Sequence, residues 1–93
     1  MPGYLIGSVT VLDAAKMAQY AAEAAPIVEQ FGGRRLAGGK PDVVEGDWPW
    51  GVAFVYEFPS RAAAHAFWNS DAYRKMIAFR EGAAISNTVV VGD

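Results

Sequence analysis

The order of hydrophobic segments along the chain places the strongest constraint on its fold. Four segments rich in β-branched and aromatic residues alternate with two amphipathic helical segments, in the order strand, helix, strand, strand, helix, strand. Two of the strands carry apolar residues on both faces. The two helices can cover one face of a sheet, and so short a chain has no further element to cover the other. A second copy of the chain is the predicted cover, so we expect a homodimer.

Length and composition exclude several classes of protein. The 93 residues suffice for a single domain, residues 1–93, that buries only about 60–65% of its unfolded surface. Hydrophobic residues make up 53% of the chain and charged residues 19%, which is typical of a globular protein. A net charge of −2 offers no broad positive field. We therefore predict no nucleic-acid partner and no membrane partner.

The residue types that are missing are also informative. Cysteine is absent, which excludes a disulfide framework and thiolate metal sites. With a single histidine and no phosphate-binding motif, the sequence predicts no metal and no cofactor. No apolar run reaches the roughly 18–20 residues of a membrane span, and Met1-Pro2-Gly3 leads into a strand without a basic leader. We expect a soluble, unprocessed protein, with the cytoplasm as the default location.

Alternation and capping define the first strand and the first helix. Residues 4–12 alternate as a strand, and Asp13 is placed as the N-cap of a helix. The apolar stripe of this helix recurs at spacings of three and four: Met17, Tyr20, Ala21, Ala24, Ile27, Val28 and Phe31. Gly32-Gly33 supplies a helix end. Pro26 lies inside the helix, where we expect a kink or a break into two segments.

Turn residues separate the next two strands. A second strand starts with residues 34–37 and is predicted to be bent or bulged, because residues 38–42 have the composition of a turn and are followed by extended residues 43–45. Residues 46–51 form a loop that carries two tryptophans. Residues 52–58 are the clearest strand of the chain, with four large apolar residues on one parity.

The last third of the chain predicts a broken helix and a final strand. Ser60 is placed to cap a helix that pauses at Asn69 and restarts with Ser70 as a new cap. Gly82 ends this helical region, and residues 85–91 have the composition of the fourth strand.

The spacing of these punctuating residues resembles that of a known family. The most specific piece is Glu57-Phe58-Pro59-Ser60 followed by Trp68, Ser70 and Tyr73, because a strand end, a cap and a broken helix stand at fixed offsets. Further matching positions are Tyr20, Pro26, Gly32-Gly33, Glu45-Gly46 and Arg80-Glu81-Gly82. Over nearly its whole length, the chain resembles the domain-of-unknown-function family numbered thirteen-thirty, in the dimeric α/β-barrel superfamily.

This resemblance implies an α+β protein with the ferredoxin-like βαββαβ fold. In that fold a four-stranded antiparallel sheet carries two helices on one face, and a homodimer forms through the other face to give a dimeric α/β barrel. Superfamily relatives include cofactor-free monooxygenases, muconolactone isomerases, haem-dependent enzymes and members of unknown activity. The family brings no established catalytic residue, and a fold alone does not select a reaction.

Two charged residues are candidates for chemistry. Arg80 lies on the apolar stripe of the second helical region, where its guanidinium could hold the carboxylate or enolate of a substrate. The alternatives are an ion pair with Glu57 or Glu45, or extension of the side chain to water. Glu57, at a strand end with apolar neighbours, is the candidate for proton transfer, with a structural role at the Ser60 helix start as the alternative.

Aromatic residues are the other candidates. Tyr73 is predicted to donate a hydrogen bond, Tyr20 to contact the substrate and Trp68 to line the pocket wall, with ordinary core packing as the alternative. Trp48, together with Trp50, is predicted to contact the ligand as a lid, to anchor the partner subunit or to shield the sheet edge.

Two further features are predicted to lie at the surface. His65 shares a helix face with Arg61 and Asn69, so we expect it to point outward, away from any haem site. Arg34, Arg35 and Lys40 form a small basic patch, and the strands lack the aromatic signature of RNA-recognition modules. We therefore predict that this patch is a solvated sheet edge.

Together these features favour a homodimeric protein that binds a small organic molecule in a pocket between sheet and helices. If it is an enzyme, the predicted chemistry is cofactor-free acid–base or monooxygenase-like catalysis. The alternative is a non-catalytic assembly or accessory module, in which the tryptophan loop and the open sheet face serve oligomerisation. A packed interior without a cavity would favour that alternative.

Overall fold

The helices and strands follow the predicted order in the computed structural model, which describes residues 1–92. The strands are β1 (Gly3–Val11), β2 (Arg34–Gly39), β3 (Val52–Phe58) and β4 (Ala84–Gly92), and the helices are α1 (Ala14–Gln30), α2 (Arg61–Asn69) and α3 (Asp71–Phe79). No helix among residues 1–92 is both long enough and apolar enough to cross a membrane.

The four strands form one antiparallel sheet in the order β2-β3-β1-β4. Joined by α1 and by the α2–α3 pair, this sheet has the ferredoxin-like arrangement, so the predicted α+β fold class is confirmed. The pairing of β2 with β3 shifts register between Arg35 and Ala37. This shift marks a bulge in the edge strand, just before residues 38–42, where the sequence predicted the irregularity. The strand ends at Gly39, so the predicted extended residues 43–45 are not part of it.

Side-chain caps begin the helices where the sequence predicted them. The side chains of Asp13, Ser60 and Ser70 each accept a hydrogen bond from the backbone N–H three residues later, at 3.1, 3.0 and 3.2 Å. Gly32 and Gly82, just beyond the ends of α1 and α3, have φ angles of 79° and 81°. Only glycine adopts that backbone conformation without strain, which explains why the helices end at these positions.

The first helix is continuous through Pro26, so the predicted break into two segments is wrong. Proline removes one helical hydrogen bond, the one that would end at the carbonyl of Ala22. Both Pro26 and Ala22 are exposed, so water can satisfy that carbonyl. Val28, in the turn after the proline, is buried in the core and helps to hold the helix in place.

One face of the sheet carries the helices and the core. Leu5 in β1 pairs with Tyr56 and Val90, and side chains of this register point toward the helices. The buried core consists of Leu5, Ala24, Val28, Phe58, Ala64, Phe67 and Tyr73. The α2 helix packs against β1, β3 and β4, whereas α1 packs mainly against α3. This arrangement leaves room between α1 and the sheet.

The other face of the sheet is open in the single chain. It carries Tyr4, Ile6 and Val55, and on the edge strand β4 the apolar side chains of Ile85, Val89 and Val91 are 54%, 57% and 41% exposed. The predicted second apolar face is therefore present. A patch of exposed aliphatic side chains on one sheet face is typical of a surface that another protein covers.

Candidate functional site

A cavity of about 510 Å³ fills the space between α1 and the helix-bearing face of the sheet. All four strands contribute to its floor, and α1, α2 and α3 form its walls. Most of the lining is apolar and includes Leu5, Val9, Met17, Ala24, Val28, Val52, Phe54 and Phe58. A cavity of this volume with mainly apolar walls and a few polar groups is typical of a small-molecule site.

Arg80 is a polar group on the β4 side of this cavity. Its Nη1 donates to Oγ of Ser86 at 2.7 Å, and its Cζ lies 5.2 Å from the centroid of the Tyr20 ring. Its Nε is buried and has no hydrogen-bond partner among the residues that the structure describes. A buried cationic N–H without a partner is costly, and an acceptor that reached this atom would offset the cost.

Two tyrosines form a hydrogen-bonded pair beside the arginine. The hydroxyl oxygens of Tyr20 on α1 and Tyr73 on α3 are 2.5 Å apart, and both side chains line the cavity. Burial raises the pKa of Tyr20 well above its ordinary range, and the neighbouring Tyr73 raises it further. Tyr20 therefore remains protonated at neutral pH. One of the two hydroxyl protons forms the hydrogen bond between the tyrosine oxygens. The other hydroxyl proton is therefore available to donate to a ligand.

Trp68 is a rigid part of the wall. Its ring centroid lies 5.3 Å from that of Tyr73, and the side chain lines the cavity. The carbonyl of Trp68 accepts hydrogen bonds from Nε and Nη2 of Arg74 at 2.9 and 2.6 Å. The guanidinium of Arg74 also lies over the indole, at 5.3 Å from the ring centroid. The structure thus brings Arg80, Tyr20, Tyr73 and Trp68 to one cavity.

Glu57 lies on the opposite face of the sheet from these residues. Its neighbours in β3, Tyr56 and Phe58, point toward the helices, so strand alternation directs Glu57 to the open face. There its Oε1 accepts from Nε and Nη2 of Arg34 at 3.0 and 2.9 Å. The carboxylate therefore neither lines the cavity nor forms the ion pair with Arg80 that was one sequence-based alternative.

Trp48 also lies outside the cavity lining. It packs edge-to-face against Trp50 at a centroid distance of 5.2 Å and is 41% exposed, in the loop between β2 and β3. His65 is exposed on α2, as the sequence predicted. In the described part of the chain, no three His, Asp or Glu side chains are grouped as metal ligands would be.

Sequence reasoning did not assign several polar residues to the cavity. Ser86, Thr88 and Glu29 were not singled out, and Arg34 and Arg35 were assigned to a solvated edge. Ser86 lies on the fourth strand, where polar and apolar residues occur on both parities. Its pairing with Val9 of β1 places it on the helix-bearing face, and only the sheet register reveals that pairing. Glu29 and Arg35 follow ordinary surface patterns in the sequence, so no local signal distinguishes them.

Several solved structures share this fold, and their similarity covers nearly the whole chain. A protein of unknown function from Rhodopseudomonas palustris is 23% identical, covers 99% of this chain and 82% of its own, and has a TM-score of 0.78. A dimeric ferredoxin-like protein of unknown function from Jannaschia is 10% identical with full coverage of both chains and a TM-score of 0.74. SnoaB, a cofactor-independent oxygenase from Streptomyces nogalater, is 10% identical, with coverages of 99% and 92% and a TM-score of 0.66. Likeness at these identities establishes the fold alone.

Sequence comparison assigns the chain to a family. A search of curated proteins gives no match. The family model described as domain of unknown function (DUF1330) matches residues 2–93. The chain therefore belongs to this family, the one that the spacing of its strand end, helix caps and aromatic residues predicted.

Proposed function

We propose that the protein is a homodimer that binds a small, mainly apolar organic molecule with an anionic oxygen in the cavity between α1 and the sheet. One observation carries this proposal. Arg80 lines the cavity, and its buried Nε has no hydrogen-bond partner among the described residues. A carboxylate, enolate or phenolate oxygen of the ligand would accept from that N–H and compensate for its burial.

The remaining lining residues supply the complementary contacts. Trp68 and the apolar side chains of the floor contact the body of the ligand, and the Tyr20–Tyr73 pair donates a hydrogen bond beside the guanidinium. The Ser86 hydroxyl of β4 accepts a hydrogen bond from Nη1 of Arg80. The anionic end of the ligand, bound at the same guanidinium, therefore lies near Ser86. The ligand therefore binds in one orientation.

For catalysis we propose cofactor-free chemistry through an enolate or phenolate. The substrate gives its proton to water, Arg80 stabilises the negative charge that results, and Tyr73 donates a hydrogen bond to the same oxygen. Isomerisation follows if water returns a proton at another carbon. Monooxygenase-like chemistry follows if the carbon of the anion adds to dioxygen and the protonated hydroperoxide loses water to leave a carbonyl, so that the substrate itself is the reductant. The fold shared with a cofactor-independent oxygenase supports this proposal at the level of architecture. Glu57 has no part in it, because its carboxylate lies on the other sheet face.

Homodimerisation is supported by the exposed aliphatic side chains of the open sheet face and by the dimeric state of a structural neighbour. An assembly module without a ligand was the alternative, for which a packed interior would have been expected. The cavity of about 510 Å³ supports the binding function instead.

Two probes of equal shape test recognition of an anion. Naphthalene-2-carboxylate and naphthalene-2-carboxamide differ in charge, and their affinities are measured by isothermal titration calorimetry. A charge-assisted hydrogen bond contributes about 1.5–3 kcal/mol. We therefore expect the carboxylate to bind roughly 10- to 100-fold more tightly than the carboxamide. The Arg80→Gln substitution is expected to remove this preference.

Arg61→Gln is the matched control. Arg61 carries the same charge, donates to the carbonyl oxygen of Gly92 and does not line the cavity. This variant is expected to keep the preference for the carboxylate. Equal affinity of the native protein for both probes, a preference that survives Arg80→Gln, or no saturable binding of either probe would contradict the proposal.

A further inference from the structure

The two adjacent arginines of β2 extend from opposite faces of the sheet. Arg34 is paired in register with Glu57, and its guanidinium binds that carboxylate on the open face. Arg35 is paired with Tyr56, whose side chain faces the helices. Within residues 1–92 Arg35 forms no salt bridge. Strand alternation therefore places Arg34 beside the carboxylate of Glu57. It directs Arg35 to the cavity side, where no counter-ion among residues 1–92 pairs with it.

A glycine gives the second guanidinium its position. A Cβ atom built on Gly38 would collide with Nη2 of Arg35, so the guanidinium lies directly over the backbone of Gly38. Gly38 is in register with Phe54, a residue of the cavity floor, and Arg35 itself lines the cavity. Arg35 therefore places a positive charge at the β2 edge of the cavity, in the chain segment that the sequence assigned to a solvated edge.

The two cavity arginines lie at opposite ends of an apolar floor. Arg80 is bonded to Ser86 on β4, whereas Arg35 lies over Gly38 on β2. Three strand spacings separate β4 from β2, about 14 Å in all. Through β3 and β1, Gly38 is in register with Thr88, which is two residues, or about 7 Å, from Ser86. The two arginine positions are thus roughly 16 Å apart.

The charges that face the cavity leave a positive balance. Glu29 of α1 is the acidic residue of the lining within residues 1–92, and it forms no salt bridge there. Arg34 also borders the cavity, but its guanidinium is bound to Glu57. Arg80 and Arg35 together therefore exceed the single carboxylate of Glu29 by one positive charge, and because they lie apart, each guanidinium can bind a separate anionic group of a ligand.

We propose that the ligand is an elongated apolar diacid, with one acidic group bound by Arg80 and the other by Arg35. This inference rests on the proposed binding function and specifies the class of ligand. The guanidinium of Arg35 recognises the second carboxylate or other oxyanion at the β2 edge of the cavity. Glu29, the acidic residue of the lining within residues 1–92, opposes the binding of a second negative charge.

Matched pairs of monoacids and diacids test the proposal by calorimetry. Naphthalene-2,6-dicarboxylate is compared with naphthalene-2-carboxylate, and the longer biphenyl-4,4′-dicarboxylate with biphenyl-4-carboxylate. At least one diacid is expected to bind about tenfold more tightly than its monoacid, which is the contribution of one further charge-assisted hydrogen bond. Arg35→Ala is expected to remove this gain, so that each diacid binds no more tightly than its monoacid to this variant. Glu29→Gln is expected to increase the gain.

Arg34→Ala is the control, because it removes the same charge from the adjacent residue and is expected to keep the full gain. Diacids that bind no more tightly than their monoacids, or a gain that survives Arg35→Ala, would overturn the inference. An equal loss in both arginine variants would do so too, since it would indicate only general attraction between charges. Failure of the proposed function gives a different result, in which Arg80→Gln does not change the affinity of the monoacid.

Discussion

At the scale of single residues, the polar groups of the cavity hold one another in place. Ser86 accepts a hydrogen bond from Nη1 of Arg80, and the ring of Tyr20 lies beside the same guanidinium. These contacts leave Nε free among the described residues. The position of Arg80 on an apolar helix stripe was visible in the sequence, whereas its contacts come from β4 and α1 and depend on the fold.

Tyr20 gives this network a pH dependence that can be measured. Burial raises its pKa in the folded protein, so folding favours the protonated hydroxyl. This contribution to stability is complete below about pH 10, the pKa of an unperturbed tyrosine, and decreases above it as the unfolded chain ionises. We expect the free energy of unfolding to fall less steeply above about pH 10 in Tyr20→Phe than in the native protein.

Urea unfolding at a series of alkaline pH values checks this expectation. At neutral pH the same substitution is expected to cost about 1–3 kcal/mol, because Tyr73 loses the partner of its buried hydroxyl. Identical slopes against pH for the two proteins would show that the folded state does not suppress ionisation of Tyr20.

At the scale of elements, the break between α2 and α3 shapes the cavity wall. Oγ of Ser70 donates to the carbonyl oxygen of Phe67 at 2.8 Å and accepts from the backbone N–H of Tyr73 at 3.2 Å. One hydroxyl thus ends one helix and begins the next. Trp68, just before the break, and Tyr73, just after it, consequently reach the same cavity.

Removal of this hydroxyl should destabilise the protein. For Ser70→Ala we expect a loss of about 1 kcal/mol in the free energy of unfolding, the usual contribution of a serine N-cap. Ser70→Asp retains an oxygen acceptor for the N–H of Tyr73, so its loss is expected to be smaller. Chemical denaturation of the two variants measures the difference. An alanine variant as stable as the native protein would show that the cap is dispensable.

At the scale of the whole molecule, the open sheet face is the surface through which the proposed homodimer would form. A chain of 93 residues buries a modest core, and it leaves Ile85, Val89 and Val91 exposed on this face. Association through the face would bury these side chains and convert the solvent-facing sheet into a second core. The cavity, on the helix-bearing side, would remain accessible in such a dimer.

A charge within the exposed aliphatic patch of β4 tests the assembly. Val89→Asp is expected to convert the proposed dimer into a monomer at micromolar concentration, because an unpaired carboxylate in an apolar interface loses its hydration. Ala18→Glu, on the exposed side of α1, is the control and should remain dimeric. Sedimentation equilibrium measures both. A native protein that sediments as a stable species of 10.0 kDa would contradict the homodimer.

The element order, the three N-caps, the α+β fold class and the family could all be predicted from the sequence. These features depend on local chemistry, since a cap at Asp13 or Ser70 involves atoms three residues away and the alternation of β3 is visible in its letters. The same local logic placed Arg80, Tyr20 and Tyr73 on inner helix stripes.

The tertiary structure alone decided which groups share the cavity. Because side chains alternate along a strand, Glu57 and Tyr56 lie on opposite faces of the sheet. Which of these faces the helices cover depends on packing across the whole sheet. Arg35 likewise reaches the cavity only because the β2–β3 register and Gly38 direct it there. Helical and strand periodicities are set by neighbours along the chain, whereas a binding site is set by register and packing between residues far apart in it.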